Sequence, residues 1–382
     1  MSYAVFLPSG YDSTRAWPIA FLMDPRGRAG IPLDRLRPTA ERLGYVLFSS
    51  YNTLSDSATD INERALNAML TDAQMQFSID KRRIYLVGFS GTARISWDFG
   101  AALGDAVAGI FAAGASGMNF AREVATSRER VPAPAYFGVV GDTDFNYEEM
   151  QSFELWLTRQ NIPHRIRSLA GGHAWPPDSL FAEAFEWFEL RASITGLRPA
   201  DARQTSAAFT HDSAAAAALE QAGNLADAWQ RWREIARDYP HPLAEKEANR
   251  LASKAKTRRA LQLKHDLNRR FFEFHATLVK WVLDLHRAHM PPDIRTARKA
   301  LGLDERLRAA RAPERDYALA AQRELEHVYV LFSFYEPRTL VQQNKPDHAL
   351  LLLELAEIIK PGTLDRMRAD PRWEPLLRNR FP

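Results

Sequence analysis

The run Ile84-Tyr85-Leu86-Val87-Gly88-Phe89-Ser90-Gly91-Thr92-Ala93 constrains this chain more than any other stretch, because an apolar strand passes straight into a serine set between glycines and then into helix-forming sequence. Such a segment reads as a nucleophile elbow, a strand-to-helix turn that lifts a serine hydroxyl off the end of a sheet, open to a base on one side and a carbonyl on the other. Gly88 leaves room for the turn, and Gly91 lets the N–H that follows the serine face a developing oxyanion. Thr92 stands where the G-x-S-x-G pattern has its last glycine. On this pentapeptide alone, an ordinary strand-to-helix turn explains the sequence as well as catalysis does.

Two later segments change that balance. Ala135 to Gly141 is a short apolar run bounded by Pro134 and a glycine, the pattern of a buried strand, and it empties into Asp142-Thr143-Asp144. Arg165 to Leu169 reads as another strand, ending in Ala170-Gly171-Gly172-His173-Ala174-Trp175-Pro176-Pro177. Serine, acid and histidine therefore follow one another in that order, each at the end of an expected strand, which is the chain order of the α/β-hydrolases. Taken singly, each residue has a plainer reading: a turn acid, a loop histidine, a packing tryptophan. Their joint order and placement make a Ser-His-Asp triad the better account.

From Met1 to about Thr195 the chain resembles α/β-hydrolase esterases of the feruloyl esterase and polyhydroxyalkanoate depolymerase type. Three blocks carry the resemblance: Tyr3 to Asp12 with Trp17 to Leu22, Ile79-Asp80-Lys81-Arg82-Arg83 ahead of the elbow, and Gly171-Gly172-His173-Ala174-Trp175-Pro176. It implies a serine carboxylic-ester hydrolase working through an acyl-serine intermediate, on bulky or aromatic esters or short polyesters. Ser90 is then the nucleophile and His173 the base, since an imidazole with a pKa of about 6.5 can take and return a proton near neutrality. Asp144, in the Gly-x-x-Asp arrangement that such esterases use after the strand, is preferred as the acid that orients the histidine. Asp142, directly after Gly141, is the alternative. The His-Gly pair usual after the third strand of such enzymes is Asp24-Pro25 here, and Pro25 has no N–H to give. The oxyanion donors expected are thus the amides of Gly91 and Arg26, with Gly27 next. Tyr51, Phe145, Tyr147 and Trp175 are the aromatics expected to line a substrate cleft.

Composition excludes several alternatives. The chain has 382 residues with 50 Lys and Arg against 47 Asp and Glu, so it presents no strong basic field, and nucleic acid is not an expected partner. No apolar run approaches the roughly 18 residues of a membrane span. Without cysteine there are no disulfides, thiolate metal sites or cysteine nucleophiles. His211, and His286 with His289, lack a third ligand in register, and neither a P-loop nor a dinucleotide fingerprint occurs; no metal and no cofactor are expected. The abrupt start at Ser2-Tyr3, almost inside a strand, leads to the expectation of an exported enzyme whose upstream signal has been removed.

After Leu190 glycine and strand signals give way to sequence rich in Ala, Leu, Arg and Glu. Two domains are expected, an α/β-hydrolase catalytic domain over residues 1–200 and an all-α, helical-repeat domain over 201–382. Ala216, Leu219, Gly223, Ala228, Trp232 and Pro240 have the spacing of a tetratricopeptide repeat, and Ala349, Ala356 and Pro361 repeat it less completely. Phe271, Phe272, Phe274, Leu278, Trp281, Val282 and Leu285 form one apolar helix face, read first as core. The helical domain is expected to shape access to the cleft or to engage a protein partner, without supplying a catalytic side chain. Two other classes stay open: a non-catalytic partner-binding protein on a hydrolase scaffold, and a peptidase or acyltransferase using the same triad.

Overall fold

Strands buried on both faces need continuous apolar sequence, and Trp17–Met23 (β2) and Ala135–Gly141 (β6) meet that condition, with every residue of both buried. The computed structural model describes residues 1–55, 59–117, 133–239, 241–369, 373 and 377. β2 and β6 belong to a seven-stranded sheet with Tyr3–Phe6 (β1), Val46–Ser50 (β3), Ile79–Phe89 (β4), Gly109–Ala113 (β5) and His164–Leu169 (β7), in the order β1-β3-β2-β4-β5-β6-β7. β1 pairs antiparallel with β3, and every other pairing is parallel. Parallel neighbours require crossovers, and the helices Gly30–Leu43 (α1), Thr59–Gln76 (α2), Gly91–Leu103 (α3), Tyr147–Arg159 (α4) and Asp178–Ile194 (α5) follow their strands accordingly. The fold is that of an α/β-hydrolase with a large helical part after it. The loops after β4, β6 and β7 all leave the carboxyl edge of the sheet, where ligand sites of open α/β sheets lie.

The remaining helices are Ala202–Gln221 (α6), Leu225–Asp238 (α7), Pro242–Ser253 (α8), Ala255–Arg287 (α9), Ile294–Ala300 (α10), Leu303–Ala309 (α11), Arg315–Val330 (α12), Glu336–Gln342 (α13), Pro346–Ile359 (α14) and Thr363–Arg368 (α15), with one π-helical turn, Leu331–Tyr335, between α12 and α13. The described chain divides into two compact units that do not part at residue 200. The first holds residues 1–141, 149–169 and 173–264, and the second holds 142–148, 170–172 and 265–382.

Side-chain chemistry explains why α6 to α8 stay with the sheet. β7 carries two buried arginines. Arg165 reaches Asp212 of α6 at 2.7 Å and Asp238 of α7 at 2.8 Å, and Arg167 reaches Glu234 of α7 at 2.9 Å. The indole N–H of Trp187 in α5 donates to the same Asp238 at 2.8 Å. Breaking such buried pairs typically costs about 3–5 kcal/mol each, because it strands a charge in a dry interior. Ala216, Ala228 and Trp232 are buried in the same apolar cluster as β2 to β6, and Gly223 takes a left-handed φ of 82° between α6 and α7. Pro240 lies outside the described residues.

The second unit has its own core. Phe274, Leu278, Val282 and Leu285 of α9 are buried with Leu325, Val328 and Phe332 from α12 and the turn after it, and with Leu352 and Leu355 of α14. Phe271 is buried as well, whereas Phe272 and Trp281 are only partly so. Among the described residues no helix is long and apolar enough to cross a membrane.

Candidate active site

β4 delivers Ser90 to the end of the ladder. Its N–H still donates to Ala113 O of β5 at 2.8 Å, while its φ of 56° turns the chain sharply before α3 begins at Gly91. A positive φ costs a non-glycine residue on the order of 1–3 kcal/mol, so the turn persists only where its surroundings fix it. They do so here by close approach. A Cβ on Gly88 would lie 2.3 Å from Thr92 O. Thr92 is fully buried, and its hydroxyl lies 2.6 Å from Met23 O at the end of β2, 2.8 Å from Phe89 O and 3.1 Å from the Phe89 N–H. The threonine in place of the elbow's last glycine thus joins the turn to the end of β2.

His173, on the loop after β7, sets its Nε2 2.8 Å from Ser90 Oγ. Its ring packs against Phe89 with centroids 4.7 Å apart, and Phe89 packs in turn on Trp175 at 5.1 Å. Space for the imidazole comes from Gly114 at the end of β5, where φ is 66° and a Cβ would meet Phe89 at 2.7 Å and His173 Cε1 at 3.0 Å. Sequence reasoning passed over Gly114. The signal available was a glycine closing the apolar run Gly109 to Ala113, the same punctuation that ends β6.

The two acids after β6 differ. Asp142 is partly exposed; its Oδ1 accepts the Gly171 N–H at 2.9 Å, and Arg315 lies 3.8 Å from its Oδ2. Asp144 is 1 % exposed, and its Oδ1 accepts the Asn146 N–H at 2.9 Å. Asp142 thus braces a turn, and Asp144 is the buried carboxylate of the pair.

The loop after β2 corrects the expected oxyanion geometry. Asp24 is fully buried, and its carboxylate accepts the N–H groups of Arg26 at 2.8 Å and Arg28 at 3.2 Å, the Arg28 guanidinium at 3.0 Å on each oxygen, and the Trp175 indole at 2.9 Å. The Arg26 amide is therefore turned toward Asp24, and the Gly27 N–H is taken by Asp24 O at 3.1 Å. Burial alone would raise the Asp24 pKa; the bonds from Arg28, Trp175 and the two amides outweigh it and hold the carboxyl below its ordinary range. A Cβ on Gly91 would lie 2.1 Å from Ser55 Oγ, so the Ser55 hydroxyl sits directly against the residue that follows Ser90. Ser55 is fixed by its own N–H to Pro25 O at 2.8 Å. Ser55, 35 residues from Ser90 and set in no motif, carries no local signal of its place.

The four aromatics part ways. Tyr51 is half exposed at 50 %. Trp175 is half-buried, stacked between Phe89 and Phe181 and tied to Asp24, and so serves packing. Phe145 is half-buried on the loop after β6, and Tyr147 there has the Arg323 guanidinium 4.2 Å above its ring.

No family model matches the chain, and no curated protein does either. Among solved structures it is similar to an S-formylglutathione hydrolase from Staphylococcus aureus (15% identity over 49% of this chain and 89% of that one, TM-score 0.40). It is also similar to a ferulic acid esterase (17% identity, 48% and 88%, TM-score 0.38) and to a fungal esterase from Rhizomucor miehei (12% identity, 49% and 79%, TM-score 0.39). Likenesses this distant leave the chemistry of this chain to be argued from its own side chains.

Proposed function

We propose that this protein is a serine hydrolase of carboxylic esters that works through an acyl-serine intermediate. The observation that carries the reading is the 2.8 Å contact between His173 Nε2 and Ser90 Oγ at a strand-to-helix turn with a positive φ. Ser90 is the nucleophile, His173 the general base and Asp144 the carboxylate that orients the imidazole, supported by the chain order, by the burial of Asp144 and by the bracing role of Asp142. As Oγ bonds to the acyl carbon its proton passes to Nε2, and the carbonyl electron pair moves onto oxygen. Collapse expels the alcohol, which takes that proton, and water repeats the sequence to release the acid.

Two donors should meet the oxyanion, each worth roughly 3–4 kcal/mol of barrier. With the Arg26 and Gly27 amides engaged by Asp24, the donors assigned are the Gly91 N–H and the Ser55 hydroxyl beside it. An ester with a bulky or aromatic acyl group, or a short polyester, is the substrate class proposed, with Tyr51, Phe145 and Tyr147 as the aromatic contacts. Labelling by a serine-directed fluorophosphonate tests the reading: wild type should be modified and Ser90→Ala should not. A folded wild-type protein that resists the reagent would make the chain a non-catalytic scaffold. Esters and amides of matched acyl groups, with and without an acceptor alcohol, then separate hydrolase from peptidase and acyltransferase.

A further inference from the structure

The seven-residue segment Asp142–Glu148, which carries Asp144, belongs to the compact unit built from the late helices. One guanidinium grips both of its ends. Arg323 of α12, 5 % exposed, sets its Nε 2.9 Å and its Nη2 2.7 Å from Glu148 Oε1, and its Nη1 donates to Asp142 O at 3.1 Å. The fork thus grips the first and the last residue of the segment, and its plane lies over Tyr147 between them. Asn268 of α9 completes the arrangement, its Nδ2 lying 3.0 Å from Glu148 O and 2.8 Å from Glu148 Oε2. Glu148 is as deeply buried as Asp144.

We infer that Arg323 is a positioning residue for the triad acid, so that the late helices set catalysis by fixing where Asp144 can be. The inference rests on the triad reading given above. A buried ion pair adds little net stability compared with apolar packing, and its better attested use is to select one arrangement among several. A planar fork that binds two acceptors at once does this, whereas a lysine, a flexible point charge, would keep the charge without spanning both ends. When the oriented carboxylate is displaced, the histidine loses its tautomer control and the partner that stabilises its charged form, and turnover falls while binding of a small substrate does not.

The test is a mutant cycle in the full chain on a small nitrophenyl ester. Arg323→Ala should lower kcat by roughly 10- to 100-fold with KM within about twofold, and Arg323→Lys should recover only part of the loss. In an Asp144→Asn background, Arg323→Ala should cost nothing further, because the group it positions is already gone. Equal fractional loss in both backgrounds, or a folded Arg323→Ala with wild-type kcat, would overturn the inference while leaving the triad intact. If Arg323→Ala does not fold, Arg323→Lys and Asn268→Ala carry the same cycle. Full turnover by Asp144→Asn itself would remove the triad assignment and the inference with it.

Discussion

Ser90 and Asp144 are held in place by opposite means. Ser90 is fixed by backbone, through its ladder bond to Ala113 and through glycines at 88 and 114, where neighbouring atoms approach too closely for a Cβ. The Asp144 segment is fixed by side chains that arrive from 120, 175 and 181 residues away. A position set by many backbone bonds and close contacts tolerates the loss of any one side chain. A position that leans on a few distant side chains is more sensitive to the loss of one of them.

The largest effect is expected at Ser90. Ser90→Ala should reduce ester turnover by about 10⁶-fold while the circular dichroism spectrum and melting temperature stay close to wild type, since only one oxygen leaves a backbone-fixed turn. A tenth of the turnover surviving in the folded variant would end the assignment. Next comes the acid: Asp144→Asn should cost on the order of 10⁴ in kcat through the wrong histidine tautomer, and Asp142→Asn far less, because an amide oxygen can still accept from Gly171. The reverse ranking would move the role to Asp142. Ser55→Ala should cost about 10²- to 10³-fold in kcat at constant KM if the hydroxyl meets the oxyanion. An unchanged kcat would leave that position to a donor other than Ser55.

The smallest effect expected is on stability and lies away from the site. Burial pushes the Glu154 carboxyl on α4 up to about 7, with Lys264 and Arg167 lowering it and Glu234 and Asp227 raising it. Its Oε1 has no hydrogen-bond partner among the described residues. An unfolded glutamate titrates near 4.3, so between about 4.3 and 7 the folded state binds more protons and stability falls as pH rises. Glu154→Gln should therefore gain on the order of 2–3 kcal/mol over wild type at pH 8, and nothing near pH 4. Denaturant midpoints of the two proteins at both pH values measure this; equal midpoints at pH 8 would show that Glu154 is not buried as a charge.

What could be read from the sequence follows the same division. β6 occupies the very residues of its apolar run, and the elbow and the histidine loop fall where glycines punctuate strands, because those signals are local. The Arg26 amide turns to Asp24 rather than toward an oxyanion, and the local clue to this is the form Asp24-Pro25-Arg26, since an aspartate commonly captures the N–H two residues on. The expected division near residue 200 followed composition, which changes there, whereas the ion pairs of Arg165 and Arg167 with α6 and α7 join residues 47 to 73 apart and leave no mark on any short window. They also change the outlook for removing everything after about residue 205. That truncation would leave Arg165 without Asp212 and Asp238, Arg167 without Glu234, and the Asp144 segment without Arg323, so cleavage of even a small ester should be lost with it.

The separation of 175 residues between Glu148 and Arg323 also has a meaning in time. A ribosome adding about 5–20 residues per second needs roughly 10–35 s to travel from one to the other. For most of that interval, once residue 173 has been added, the nascent chain already contains Ser90, Asp144 and His173, but the guanidinium that grips the segment of Asp144 has not yet been made. If Arg323 positions Asp144 as inferred, competence for catalysis is one of the last properties the growing polypeptide acquires, long after the sheet has been synthesised.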